Sequence, residues 1–382
     1  MPDSETPTPS NETALARQLR LLREGCMHCG KCQRQCALLK RLGSPGRIAE
    51  AVAQGDDLSA AAYECSLCGL CDAVCPTQVS PREMFLELRR DAVRRGTGIS
   101  PTHSRVLNYE RRGTSPRYSW YGLPEGCDTV LFPGCTLAGT RPAAVRRLFS
   151  MLAEHVPALG IVLDCCAKPS HDLGRDEAFH AMFDDMRDWL VERGVRRVLT
   201  ACPSCQAMFE RYGNALRPQT VYELLTQNLP SEAPETRARV TVHDPCVLRH
   251  DEAAQAAVRE LVRRTGCELT EMQHNGPHTL CCGEGGAACL VAPDLALEWA
   301  RRRTAEADGL PMITSCAGCV NRLAPHGPTM HVLDLVLDPQ RTLAGRARIA
   351  RAPLTYLNRL LLKRFFRKTL VVRDMRTRLQ RG

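Results

Sequence analysis

The sequence predicts an α+β chain of several domains: an α-helical, cysteine-rich N-terminal domain, two duplicated α/β domains with short parallel sheets, and a basic C-terminal helix. Three observations carry this prediction. Two cysteine runs of the form C-x2-C-x2-C-x3-C lie before Pro76. A five-cysteine pattern then occurs twice, with most of its cysteine groups following short apolar runs. Finally, the tail from Arg341 holds 11 Arg and 2 Lys against the single acid Asp374.

A chain of 382 residues, 44% of them apolar, has room for two or three packed domains. The net charge is +9, but the tail alone contributes +12, which leaves everything before it at −3. The basic character therefore belongs to the tail, and no nucleic-acid partner is expected. Met1 to Arg20 lack an apolar signal core, so a cytoplasmic location is expected. There the 21 cysteines would hold metal rather than form disulfides.

Residues 1–11, rich in Pro, Ser, Thr and acid, are expected to be disordered. Residues 12–95 form the first folded unit. A helix from about Glu12 to Gly25, with Leu15, Leu19 and Leu22 on one face, leads into Cys26, Cys29, Cys32 and Cys36. The second run is Cys65, Cys68, Cys71 and Cys75. In this spacing three cysteines wrap a [4Fe-4S] cubane and the fourth crosses to the other cluster. Cys26, Cys29, Cys32 and Cys75 then hold one cubane, and Cys65, Cys68, Cys71 and Cys36 the other. Zinc knuckles use separated pairs and leave three cysteines at interval three unexplained. The first run ends in Ala37 where the second has Pro76, a change of turn that removes no ligand. Helices are expected at Arg47 to Gln54 and from Pro81.

Residues 96–126, rich in Gly, Pro and Arg, read as an ordered connector. Its Tyr109, Tyr118, Trp120 and Tyr121 are expected to pack between domains, a quinone or flavin contact being the alternative.

The two α/β domains are expected at 127–230 and 231–340. The first carries Cys135, Cys165, Cys166, Cys202 and Cys205; the second carries Cys246, Cys281, Cys282, Cys316 and Cys319. Equivalent cysteines are offset by 111, 116 and 114 residues, which marks an internal duplication. The apolar runs before Cys135, Cys165, Cys202, Cys246 and Cys316 read as buried parallel strands with cysteines at their carboxyl ends, where open α/β sheets place ligands. Helical spacing appears at Pro142 to Ala153, Asp176 to Arg193, Glu252 to Arg264 and Asp294 to Ala307. Two such halves would face each other about a pseudo-twofold axis. Five thiolates exceed what one tetrahedral zinc uses, so iron-sulfur chemistry is the fit.

His171, His180, His243, His250, His274 and His278 read as surface or helix-capping residues, with proton donation or iron ligation as the alternative. Cys127, Cys267 and Cys289 fall outside every set and read as small buried apolar residues. The tail at 341–382 has no apolar run of spanning length. Its Tyr356, Leu357, Leu360, Leu361, Phe365 and Phe366, interleaved with Arg and Lys, form a basic amphipathic helix. Such a helix either lies on an anionic membrane or acidic partner, or packs on its own domain.

The two five-cysteine sets resemble the CCG domains of iron-sulfur subunits related to heterodisulfide reductase, glycolate oxidase and anaerobic glycerol-3-phosphate dehydrogenase. The match covers roughly residues 130 to 320 and includes all ten motif cysteines. Residues 12–95 resemble the ferredoxin-like subunit of heterodisulfide reductases, here fused ahead of the CCG domains. The resemblance implies one or two further [4Fe-4S] clusters of non-cubane type in these sets. One departure is Ala167, which stands where the second copy has Gly283.

The function implied is electron transfer: an iron-sulfur subunit of a larger oxidoreductase, relaying single electrons between a partner and the CCG-bound clusters. The partner is a flavoprotein dehydrogenase subunit, a membrane cytochrome or a quinone-reactive subunit, because the chain shows neither a Gly-x-Gly-x-x-Gly run followed by an acid nor a P-loop. A peripheral position on the inner face of the cell membrane would follow from the tail. The alternative is a catalytic subunit that reduces a disulfide at a non-cubane cluster, with Cys246, Cys281, Cys282, Cys316 and Cys319 as candidate site residues. A zinc-bound scaffold is a third reading.

Overall fold

The computed structural model describes residues 12–228 and 236–378; the expected disorder of residues 1–11 lies outside them. The first helix, Ala14–Gly25, starts at Thr13, whose hydroxyl accepts from the Ala16 amide at 3.1 Å, and buries Leu19 and Leu22. Each cysteine run bends at a glycine in the left-handed region, Gly30 (φ 72°) and Gly69 (φ 70°). There a side chain would be strained. The bends launch the short helices Lys31–Gln35 and Leu70–Ala73, which carry the third cysteine of each run, Cys32 and Cys71. Between the runs lies the helix Pro45–Ala53, and after them Pro81–Arg94, with Ser80 capping its amide end.

The strands are β1 (Trp120–Leu123), β2 (Thr129–Phe132), β3 (Gly160–Leu163), β4 (Arg197–Thr200), β5 (Arg217–Thr220), β6 (Arg239–Val242), β7 (Glu268–Leu269), β8 (Met312–Thr314), β9 (Thr329–His331) and β10 (Asp374–Arg376). They form two sheets, ordered β10-β1-β3-β2-β4-β5 and β7-β6-β8-β9. The parallel part of the first, β3-β2-β4-β5, repeats strand for strand in the second, so the duplication read from the cysteines is also one of topology. Helices Pro142–Ala153, Asp176–Glu192, Glu252–Arg264 and Pro293–Glu306 fall where apolar spacing placed them.

The two halves share one apolar core rather than closing separately. Leu131, Leu148, Leu199 and Tyr222 of the first half are continuous with Val240, Leu261, Ile313 and Leu333 of the second. An ion pair between Arg141 and Asp334 (2.6 Å), its arginine fully buried, crosses this seam. The outer face of the first sheet packs separately on Phe179, Phe183 and Phe209.

Connector and tail complete the first sheet. β1 pairs antiparallel with β3 on one side and with β10 on the other. Trp120 and Tyr121 are buried as expected for packing residues. The tail helix, Leu354–Thr369, buries Leu362 and Phe366 in the shared core, Phe366 edge-on to Phe149 at 4.9 Å. Its Arg359 and Lys363 point inward and donate to the carbonyls of Gly113 (3.2 Å) and Pro116 (2.6 Å). Arg378 donates to the Asp164 carboxylate at 2.6 Å. Of the two readings of the tail, packing on its own domain accounts for these residues. The outer face keeps Leu354, Leu357 and Leu361 exposed beside Arg364, Arg367 and Lys368. Among the described residues no helix is long and apolar enough to cross a membrane.

Candidate metal centres

In the helical domain the fourth cysteine of each run lies with the other run. Cys26, Cys29, Cys32 and Cys75 line one small void, bordered also by Cys71. Cys36, Cys65, Cys68 and Cys71 line a second. His28 borders the first void and Glu64 the second, and the Asp72 carboxylate accepts from the Cys71 thiol at 3.3 Å. Burial pushes the Cys32 and Cys36 thiols up to about 11 and Cys65 to about 12, with neighbouring cysteines adding to the rise. Thiols so placed ionise readily only when a cation replaces the proton. The donor sets therefore fit soft-metal or iron-sulfur ligation.

The second five-cysteine set gathers at the carboxyl ends of β6 and β8. Cys246 opens a short turn after β6, and Cys316 caps the helix Ala317–Leu323, its sulfur accepting from the Cys319 amide at 3.4 Å. Cys319 and Cys282 sulfurs lie 3.3 Å apart, and the Gly283 amide donates to Cys281 at 3.2 Å. Thiol hydrogen bonds from Cys281 first and then Cys319 hold Cys282 well below the usual thiol range. The first set repeats this: bonds from Cys165 and then Cys205 pull Cys166 down to about 6. Cys135, at the head of the helix Cys135–Thr140, and Cys202, capping Pro203–Tyr212, complete it. In both sets hydrogen bonds from neighbouring thiols lower the second member of the adjacent pair.

Ala167 and Gly283 explain the one departure in the cysteine pattern. Both have left-handed backbone, φ 55° and 88°. At Gly283 a Cβ would stand 2.3 Å from the Ala296 carbonyl oxygen, so only glycine fits. At Ala167 the methyl is accommodated within the apolar cluster on the outer face of the sheet, at the cost of left-handed strain.

The four sets adjoin one another in a line. Cys71 borders both helical-domain voids. Cys68 meets Cys281 of the second half, and that hydrogen bond draws Cys68 down to about 6. Arg249 braces the junction, donating to the Cys68 carbonyl at 3.0 and 2.7 Å. The two five-cysteine sets meet through Tyr222, whose hydroxyl donates to the carbonyls of Ala201 (2.9 Å) and Ser315 (3.2 Å), the residues before Cys202 and Cys316. Arg89, fully buried, ties the helical domain to both halves by donating to the carbonyls of Ala62, Asp172 and Gly286.

His243 departs from the surface or capping role expected for it. It is buried at the end of β6, and its ring, Cys282 and Cys319 bring ligand atoms within 4.8 Å of one another. The first half has Phe132 at the equivalent place, three residues before the lone cysteine. That asymmetry was visible in the sequence, but nothing local shows that the imidazole turns inward. His171 is also buried, bonded to Asp172 and to the Tyr212 hydroxyl, each at 2.9 Å. His180 bonds Asp184 at 3.1 Å, and His274 bonds Glu306. Cys127 and Cys267 are buried as expected, whereas Cys289 is only half-buried. Arg89, Arg249 and Tyr222 were not singled out by sequence reasoning, because each acts through partners distant in the chain.

Comparison with known proteins agrees with this architecture. The 4Fe-4S dicluster domain family matches residues 23–79, and the Cysteine-rich domain family matches 129–210 and again 240–324. A fumarate reductase (CoM/CoB) subunit of Methanothermobacter marburgensis is 25% identical over 77% of this chain and 66% of its own length. The glycolate oxidase iron-sulfur subunit of Escherichia coli is 24% identical over 85% of this chain and 96% of its own. A subunit of the dihydromethanophenazine:CoB--CoM heterodisulfide reductase of Methanosarcina mazei is 23% identical, over 89% and 98% respectively. With the dicluster motif, the repeated topology and both cysteine sets in place, the chain carries a 4Fe-4S dicluster domain followed by two Cysteine-rich domains, the arrangement in which it is similar to iron-sulfur subunits of heterodisulfide reductase and glycolate oxidase.

Proposed function

We infer that this chain is the electron-transfer subunit of a multi-subunit oxidoreductase, and that its four cysteine sets hold clusters used in series. The observation that carries this reading is their unbroken adjacency, through Cys71, the Cys68–Cys281 contact and the Tyr222 bridge. When bound, iron-sulfur clusters supply one-electron oxidation and reduction at potentials that ligands and burial set. Cys26, Cys29, Cys32 and Cys75 would hold one cubane, Cys36, Cys65, Cys68 and Cys71 the other, and the five-cysteine sets one cluster each. The protein's part is to keep these sulfurs dry and fixed. Arg249 and Arg89 lock the junctions, and the helix Pro81–Arg94 and the shared core exclude water. The redox partner is a flavoprotein or a quinone-reactive or cytochrome subunit, in keeping with the oxidoreductase names of the relatives. Membrane association would use the exposed leucines and basic residues of the tail helix.

A second reading, disulfide reduction at a five-cysteine set, is favoured by the completeness of both sets and the resemblance to a heterodisulfide reductase subunit. One preparation tests both. Protein isolated without oxygen is expected to contain about four irons and matching labile sulfide per cluster, and to develop paramagnetic signals on reduction. A colourless protein containing zinc overturns electron transfer. A new paramagnetic signal on titration with a thiol–disulfide couple would favour the reductase, and its absence would dismiss it.

A further inference from the structure

Beside the first five-cysteine set lies a cavity of about 1000 Å³, formed where the connector helix Ser104–Gly113, the helix Asp176–Glu192 and the tail helix converge. That volume is in the range of small-molecule sites. Arg111, Arg112, Arg117 and Arg175 line it. Among the described residues none of the four has a carboxylate within salt-bridge distance. Arg112 and Arg117 instead lie against the rings of Tyr356 and Tyr118, at 5.3 and 5.8 Å from the ring centres. Arg111 is hydrogen-bonded to Asn108 at 2.8 Å, and Arg175 to the Ser170 hydroxyl at 3.3 Å. Arg378, also in the wall, is already matched by Asp164 and Asp185. Glu110 is the carboxylate of the lining, and it is spent on the amide and hydroxyl of Ser170. Leu107, Met182 and the two tyrosine rings supply apolar surface.

The wall between this cavity and the cysteines is one residue thick. Gly113 sits between the lining residues Arg112 and Thr114, and a Cβ built on it would lie 3.5 Å from the Cys165 Cβ. Tyr118 lines the cavity on one side and, on the other, a small void bordered by Cys135 and Arg359. The second five-cysteine set is covered instead by Arg249 and Cys68.

We propose that this cavity binds an organic anion, carrying a phosphate, carboxylate or sulfonate on an apolar body, against the first five-cysteine set. Guanidinium groups that line one cavity without a carboxylate partner among the described residues match an oxyanion in charge and fork geometry, and the tyrosine rings and Met182 match an apolar body. Binding does not depend on the electron-transfer reading; its consequence for the first set does.

Calorimetric titration of the iron-loaded protein tests this, with 1-naphthyl phosphate as probe, inorganic phosphate as the anion alone and 1-naphthol as the neutral body. Saturable binding of naphthyl phosphate is expected, at least tenfold tighter than either fragment. The double variant Arg112→Gln/Arg175→Gln should weaken it at least tenfold. Arg117→Gln should weaken it severalfold and serves if the double variant fails to fold. Absence of saturable binding, equal affinity in the variants, or 1-naphthol binding as tightly as its phosphate each overturns the proposal. Binding that also shifts the paramagnetic spectrum supports both inferences. Binding without a shift leaves the site assigned and counts against a cluster in the first set.

Discussion

The two five-cysteine sets have the same donors, in the same order, at the ends of equivalent strands, yet their surroundings differ in nearly every respect. The second is sealed by the dicluster domain: Cys68 touches Cys281, Arg249 grips the Cys68 carbonyl, and His243 lies against Cys282 and Cys319. The first is covered by the connector and the tail, has Phe132 in place of His243, and lies a single residue from an arginine-lined cavity. After duplication the ligand pattern was kept while the covering diverged. One set became an internal junction, and the other faces outward. Because the potential and reactivity of a cluster follow from burial and hydrogen bonds around its ligands, such divergence can separate the roles of identical donor sets.

Removing the tail after Pro353 should uncover the first set far more than any single substitution. It takes Leu362 and Phe366 out of the core, worth about 3–6 kcal/mol together at the usual gain for burying such side chains, and Arg378 from Asp164. The first set is expected to lose its iron well before the second, as followed by iron analysis during a thermal ramp. Equal loss from both would show the tail to be dispensable to the first set.

Gly283→Ala should instead disturb the second set. Its Cβ meets the Ala296 carbonyl oxygen, so the backbone must shift where the adjacent cysteine pair is held. Iron content should fall by about one cluster, roughly four irons, with the dicluster signals kept.

Ala167→Gly is the matching change in the first set. Relieving left-handed backbone is worth about 1 kcal/mol, partly offset by the buried methyl that is lost, so the unfolding midpoint should rise slightly or stay level, with iron content unchanged. A marked fall would mean that the methyl's packing outweighs the strain.

The smallest effect concerns Glu83 of the helix Pro81–Arg94 and Arg211 of the helix Pro203–Tyr212, paired at 3.0 Å. Burial alone would raise the Glu83 carboxyl, but Arg211, with Arg82 and Arg90 behind it, outweighs burial and holds it below the usual glutamate range. A carboxylate so depressed contributes stability above its unfolded pKa, about 4.3, and the contribution is lost as pH falls through the folded value. Arg211→Gln should therefore lower the denaturation midpoint modestly at neutral pH and leave it unchanged in acid. A difference that persists in acid would assign the effect to packing.

Much of the site was legible because its signals are local. The C-x2-C-x2-C-x3-C spacing, the adjacent pair Cys281 and Cys282 and the apolar spacing of Glu252–Arg264 each depend on residues a few positions apart. The tail was legible only as an amphipathic helix: its periodicity shows that one face is apolar, not what covers that face. His243 was misread for the same reason. An imidazole three residues before a cysteine carries no sign of its direction until β8 and the helix Ala317–Leu323 close over it.

By itself, then, the sequence determined which sulfurs belong to which run, the duplication, and the succession of strands and helices, since spacing along a chain dictates local turns and periodic faces. Only the tertiary structure decided that Cys68 meets Cys281, that Tyr222 joins the two halves, and that four arginines without carboxylate partners among the described residues line one cavity. Those juxtapositions link positions up to about 250 residues apart, such as Arg112 and Tyr356. They arise from burying apolar surface in one shared core, a global property that no short stretch of the chain contains.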